Sequence, residues 1–274
     1  MELRQFKVKG SKPFVIAPLG DVQWNGDASE VWSDGLKRHI DRALEAGAYF
    51  LGTGDISDFA SPSSRQKLLA SDAYSGPMKK LDDIAEQLVD EVYSKFLKPT
   101  RGRWVGMHEG HHFWAFRDGS TTDTRLAEKL GCPHLGTEAV IEWVWNGSTF
   151  QTWSHHGWGA GEEAALLTRL KKVAADWDGV RAFVMGHCTK VASTIIPKLS
   201  VTFNAAGVGD IHERRVPLVG SGGWSKAKIV GSREGLVPRG NYVERGGMRP
   251  VSLGAPLIYV SEHEGRVELE VRQR

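Results

Sequence analysis

Short apolar runs punctuate the chain, and each ends at glycine and a polar side chain. Phe14-Val15-Ile16-Ala17 leads to Gly20-Asp21, and Tyr49-Phe50-Leu51 leads to Gly54-Asp55. Residues 103–107 lead to Gly110-His111-His112, and 181–185 to Gly186-His187. Runs of this length bounded by glycine read as buried strands. Between them the apolar spacing turns helical. Val31, Leu36, Ile40 and Leu44 predict a helix over 30–46, and Leu81, Ile84, Leu88, Val92 and Phe96 a second over 78–97. A third is expected over 122–130, closed by Gly131, and a fourth over 162–177. Asn146-Gly147 suits a tight turn between strands at 139–145 and 149–154. Further strands are expected at 193–196, 200–204, 257–261 and 267–271. Residues 207–250, rich in glycine and arginine, read as long loops, and 61–65 as a Ser/Pro-rich loop. The pattern predicts an α/β (α+β) fold. It is read as one domain over 1–274, completed by a loop-rich β segment over 207–274.

Composition narrows the classes. With 41% hydrophobic residues in 274, a sizeable core is expected. A formal charge of +2 is too small to argue for nucleic acid by itself. The two cysteines, Cys132 and Cys188, form no CxxC pair, which fits a reducing compartment. No apolar run approaches the roughly 18 residues of a membrane span, and the N-terminal stretch lacks a secretory apolar region. The expectation is a soluble, cytoplasmic protein with no membrane partner.

The chemistry sits at the strand ends. Asp21 and Gln23, one residue apart, follow the first strand, and Asp55 the second. His111 and His112 follow the third, His156 follows the hairpin, and His187 follows the last core strand. Five separate segments thus bring metal-ligating side chains to equivalent positions on a rigid platform. Asp55 is the natural carboxylate to bridge two like-charged ions. Imidazoles and a carboxamide suit zinc, iron or manganese better than calcium or magnesium. Successive strand residues point to opposite faces, so His155 and His156 do not both serve. His156, which precedes Gly157, is preferred. His108 reads as a strand or supporting residue. Trp24, Phe113, Trp114 and Trp158 neighbour these positions. Of these, Trp24 and Trp158, together with His155, are candidates to contact substrate. Arg214, Arg215, Arg239, Arg245 and Arg249 lie in or beside the glycine-rich stretch, where a solvated loop is the simpler reading.

The blocks Gly20-Asp21-Val22-Gln23, Gly54-Asp55, Gly110-His111-His112, His156-Gly157 and Gly186-His187-Cys188-Thr189 resemble the five-block signature of calcineurin-like metallophosphoesterases, and phage-borne members most of all. The signature reads D-x-H, G-D, G-N-H, H before G, and G-H-x-H, and the resemblance runs from about residue 13 to 190. It implies a four-layer β-sandwich flanked by helices, one or two divalent ions (Mn, Zn or Fe), and hydrolysis of phosphoesters by metal-bound hydroxide. A phosphodiesterase or nuclease comes first, with a protein or nucleotide phosphatase, or a non-catalytic metal-binding module, as the alternatives. The implied partner is a phosphoester substrate, nucleic acid among the candidates. By this resemblance Asp21, Gln23, Asp55, His111, His156 and His187 are ligands, and His112 is the general acid or phosphate-orienting residue. Asp55 and Asp21 share the catalytic role. Three positions depart from the signature: Gln23 and His111 replace His and Asn, and Thr189 replaces the final His. An alternative register placing Met107-His108 in the third block leaves no ligand at Met107. Thr189 is a weak ligand, so the ion held by Asp21 and Gln23 is expected to bind more weakly than the other.

Overall fold

A computed structural model of the chain describes residues 1–60, 65–66, 75–159, 162–203, 205–228, 233–234, 237–238, 247 and 249–273. Two sheets face one another. One has five strands in the order β13-β12-β2-β3-β4, and the other six in the order β1-β5-β6-β7-β9-β8. The strands of the first are β2 (Phe14–Leu19), β3 (Ala48–Gly52), β4 (Trp104–Met107), β12 (Leu257–His263) and β13 (Arg266–Arg272). Those of the second are β1 (Glu2–Lys7), β5 (Glu138–Trp145), β6 (Ser148–His155), β7 (Val180–Met185), β8 (Val191–Phe203) and β9 (Gly209–Ser221). A short antiparallel pair, β10 (Arg233–Glu234) and β11 (Val237–Pro238), stands apart. Among the described residues the long α-helices are α1 (Ser33–Glu45), α2 (Ser75–Val92), α3 (Thr122–Leu130) and α4 (Glu163–Asp176).

Side-chain alternation builds four layers. Phe14 and Ile16 of β2 join Tyr49, Leu51, Ile141, Trp143, Val184 and Val219 between the sheets. Val15, Ala17 and Leu19 of the same strand face the other way, against Leu36 and Ile40 of α1, Val89 of α2 and Leu126 of α3. On the far side, Leu166, Leu170 and Ala174 of α4 cover Phe183, Met185, Val216 and Leu218. The architecture is therefore an α+β sandwich, with sheet on sheet inside and helices outside. Strands buried on both faces carry near-continuous apolar runs, which is why β2, β3 and β7 stand out in the sequence. Among the described residues, no helix is long and apolar enough to cross a membrane.

Local chemistry sets the boundaries. The Asn146-Gly147 turn has φ of 50° and 79°, as a two-residue I′ turn requires. Thr121 and Thr124 form a reciprocal cap at the start of α3, and Gly131 closes it at φ 71°. The helix expected over 78–97 is α2 followed by a π-helical stretch, Tyr93–Leu97.

The expected loop over 207–250 is corrected in part. Gly209–Ser221 is a 13-residue strand paired residue for residue with β8, which is itself one strand rather than two. Its first half is largely exposed, so it lacks the apolar run that marks a core strand. β1, also unforeseen, is a largely exposed strand running parallel to β5 at the end of its sheet. Of the loop expected over 61–65, residues 61–64 lie outside the described residues, as do Arg239 and Arg245, and Arg65 is helical. Arg214 and Arg215 belong to β9 rather than to a loop.

One buried group ties the fold to pH. His39 of α1 is buried beside Trp224, with ring centroids 5.2 Å apart. Burial, helped by the Arg42 charge, pushes its pKa from 6.5 down to about 4. The unfolded chain therefore takes up this proton near pH 6.5, and the folded chain only near pH 4. Stability is lost as pH falls through that window, by about 3 kcal/mol at most. His39→Leu is expected to lose less stability than the parent between pH 7 and pH 4.5 in denaturant unfolding. Parallel losses in the two proteins would contradict this.

Candidate metal centre

The topology gathers the candidate residues along one rim. β2, β3 and β4 run parallel in one sheet, and β6, β7 and β9 run parallel in the other. Their C-terminal ends release Asp21, Asp55, His111, His156 and His187. Backbone bonds lock the loops together: Asp21 N–H donates to Gly54 O at 2.9 Å, and Gln23 N–H to Asp55 O at 3.0 Å.

Glycine permits the close approach. A Cβ on Gly110 would lie 2.2 Å from Asp55 Oδ1. Without it, the His111-His112 segment settles directly on that carboxylate. Asp55 Oδ1 accepts from His111 N–H at 2.5 Å and His112 N–H at 2.9 Å. Asp21 Oδ2 accepts from His187 N–H at 2.9 Å.

Five of the seven non-glycine residues with positive φ among the described residues are Asp21 (49°), Gln23 (53°), Asp55 (52°), His187 (67°) and Thr189 (50°). Such conformations cost about 1–3 kcal/mol each and persist only where the surroundings enforce them. For the β-branched Thr189 the conformation is a true outlier. The strain falls on the residues named from the sequence.

Three imidazoles converge. One ring nitrogen from each of His111, His156 and His187 lies within 4.8 Å of the others. His111 Nδ1 and His187 Nδ1 are 3.1 Å apart. Two ligands of a tetrahedral ion at ~2.05 Å would sit about 3.3 Å apart, so this spacing matches one edge of a coordination shell. His156 Nδ1 is bonded to Thr53 O at 2.6 Å, which aims Nε2 towards Asp55, 3.3 Å from its Oδ2. That approach is an ion pair rather than a well-formed hydrogen bond, and His156 Nε2 makes no hydrogen bond among the described residues. Asp21 Oδ1 is also buried without one. An unsatisfied buried polar atom costs about 1–3 kcal/mol. A cation against these atoms would remove that cost, and the donor set fits one.

The electrostatics agree. Burial pushes Asp21 up to about 8, and the neighbouring Asp55 charge adds to this against the pull of His156. Burial alone would raise Asp55 too, but the adjacent His156 draws it below the usual carboxylate range. His156 is burdened by burial yet raised to about 9 by Asp55. Burial, followed by the charge of His156, keeps His111 below its ordinary value and His187 at about 4. Both are neutral at pH 7, the form that a metal binds.

His112 is apart from the cluster. Its Nδ1 meets Asp58 Oδ1 at 2.7 Å, and that bond outweighs burial to raise its pKa. Asp58 was not anticipated, although it follows Asp55 by three residues. Asp123 was also missed. It is fully buried, accepts from Gly110 N–H at 2.7 Å, and is raised to about 7, chiefly by burial. It anchors the loop that carries His111 and His112 from beneath. His108 is buried at the end of its strand, its ring bonded to Ser154 Oγ at 2.8 Å and Gly136 O at 3.1 Å.

His156, and not His155, belongs to the three-imidazole group. The His155 ring stacks on Trp153 and meets Trp158 edge-on at 5.0 Å. Trp158 is 41% exposed. Trp24 is wholly buried, packed on Phe96, with Nε1 donating to Glu91. Trp24 is therefore a core residue rather than the expected substrate contact, and Trp114 is buried likewise. An apolar side chain just after a site residue serves the core here. Thr189 stands beside Asp21: a Cβ on Gly223 would lie 3.0 Å from Thr189 Cβ and 3.4 Å from Asp21 Cβ.

No family model and no curated protein matches the chain. Among solved structures, Vacuolar Protein Sorting 29 from Cryptosporidium parvum is 12% identical, covering 95% of this chain and 97% of that one, with a TM-score of 0.32. The Thermotoga maritima protein TM1076 is 14% identical, covering 62% of this chain and 81% of that one, with a TM-score of 0.24. At such scores the likeness carries no argument about activity.

Proposed function

We propose that this chain is a metal-dependent phosphoesterase, acting first on phosphodiesters. The observation that carries the reading is the three-imidazole group of His111, His156 and His187 beside buried Asp55 and Asp21. His111, His156, His187 and Asp55 would hold one ion. Asp21, Gln23 and Asp55 would hold a weaker second, with Thr189 contributing little. Bound divalent ions neutralise phosphoryl oxygens and lower the pKa of water; manganese, zinc or iron suits these donors.

The chain's own groups supply the rest. Asp58 holds His112 Nδ1, which leaves Nε2 as the nitrogen available to protonate a departing alkoxide. A raised pKa keeps that nitrogen charged closer to neutrality, as a general acid requires. Trp158 meets His155, the neighbour of His156, edge-on, and would offer a flat face to an aryl group or base. The rival reading, a metal-binding module without turnover, rests on Thr189.

An activity panel tests the proposal: aryl phosphodiester, aryl phosphomonoester, single- and double-stranded DNA, and RNA, each with manganese, zinc, iron or magnesium. Turnover of the aryl phosphodiester with manganese is expected, abolished by chelator and restored by re-addition. His112→Asn should lower kcat by about 10²-fold or more while the ion is retained. If no metal supports turnover of any ester, the enzyme reading fails.

A further inference from the structure

The β8–β9 arm has no counterpart in the chemistry above, and its surface is unusual. Leu199, Val201, Phe203 and Ile211 are 69%, 58%, 72% and 66% exposed. They share one face. Val201 pairs directly with Ile211, Leu199 with Glu213, and Phe203 with Gly209, so the odd-numbered residues of both strands point the same way. The Phe203 ring lies across Gly209, where an added Cβ would sit 2.9 Å from it. The opposite face is polar: Lys198 pairs with Arg214, Ser200 with His212, and Thr202 with Asp210.

The apolar face is a continuation of the core. Val219, further along β9 and also odd-numbered, is buried between the two sheets. The arm carries that surface onward to residues that no described part of the chain buries. Two-stranded arms are marginal alone in water. The four side chains leave roughly 500 Å² of apolar surface uncovered, near the top of the range for an ordinary monomer.

We propose that this arm pairs two copies of the chain, apolar face on apolar face. A second copy brings a matching apolar layer, because the surface is one half of a sheet-on-sheet contact, in which two inner faces interdigitate. Two arms would bury about 1,000 Å² of apolar surface between them, and a polar rim brings the total to the ~1,200 Å² at which specific interfaces begin. Glu213 and Arg215 are exposed on the same face, which makes it a poor match for a lipid interior.

Light scattering across the micromolar range decides the matter. The expected mass is twice the 30.2 kDa of one chain. Leu199→Ser with Phe203→Ser should halve it, with circular dichroism and phosphodiester turnover unchanged. Val201→Cys, at the centre of the apolar patch, should be joined into a covalent dimer by a bis-maleimide spanning about 10 Å, the spacing of packed sheets, whereas the parent, with only Cys132 and Cys188, should not. A parent that stays monomeric, a double variant that stays dimeric, or a dimer that fails to cross-link through Cys at 201 overturns the proposal. A monomer that floats with phosphatidylcholine vesicles overturns it too, and assigns the face to lipid.

Discussion

Asp55→Asn is expected to remove both metal retention and phosphoester turnover while leaving the chain folded. Asparagine keeps the shape of the side chain. Its Oδ1 can still accept from His111 N–H and His112 N–H, the two bonds that seat the third loop on the second. What it loses is a negative charge 3.3 Å from His156. Without that charge the cluster is three neutral imidazoles with little to offset a dication. Removing one preorganised hydrogen-bond donor from an active site costs 10²–10³-fold in kcat, and the loss of an anchored ion should cost about 10³-fold or more. Elemental analysis of protein purified without added metal, phosphodiester turnover, and an unfolding curve should be read together. Lost turnover and depleted metal, with a cooperative unfolding transition still present at a lower midpoint, is the expected combination. Turnover within tenfold of the parent would sink the assignment of Asp55.

Much of this arrangement is legible before any coordinates. Strands buried on both faces write themselves as apolar runs, and the residue after each run is where a parallel sheet presents its loops. That is how Asp21, Asp55, His111 and His187 can be named from spacing alone. What stays hidden depends on packing between distant segments. Asp123 matters because α3 starts beneath Gly110, a fact of tertiary placement. Asp58 matters because the His112 ring turns towards it. β9 is obscured for a different reason: half of it faces solvent, so its alternation is diluted by arginine, glutamate and histidine. Trp24 misleads because proximity in sequence to a ligand says nothing about which way an indole points. The left-handed backbone at five site residues is equally invisible, since aspartate, glutamine, histidine and threonine do not advertise it as glycine does.

Thr189→His should convert an uneven site into a balanced one. Threonine carries two substituents on Cβ and fits poorly at φ 50°, whereas histidine is several-fold enriched in that region. The loop therefore already holds the backbone that an imidazole would accept more easily. Thr189 and Asp21 both pack against Gly223, where any side chain would crowd them. The new imidazole would join Asp21 and Gln23, giving the weaker ion a neutral nitrogen donor in place of a hydroxyl. Retained metal should rise from about one to about two ions per chain, since an imidazole binds these ions far better than a hydroxyl does. The manganese concentration for half-maximal turnover should fall about tenfold or more, in line with the 10–100-fold effects of even supporting residues at metal sites. Unfolding in chelator supplies the control, and the variant should be no less stable than the parent, because relief of strain offsets the bulk of the ring. If the parent already retains two ions, or the variant retains no more than the parent, the unevenness assigned to Thr189 is wrong.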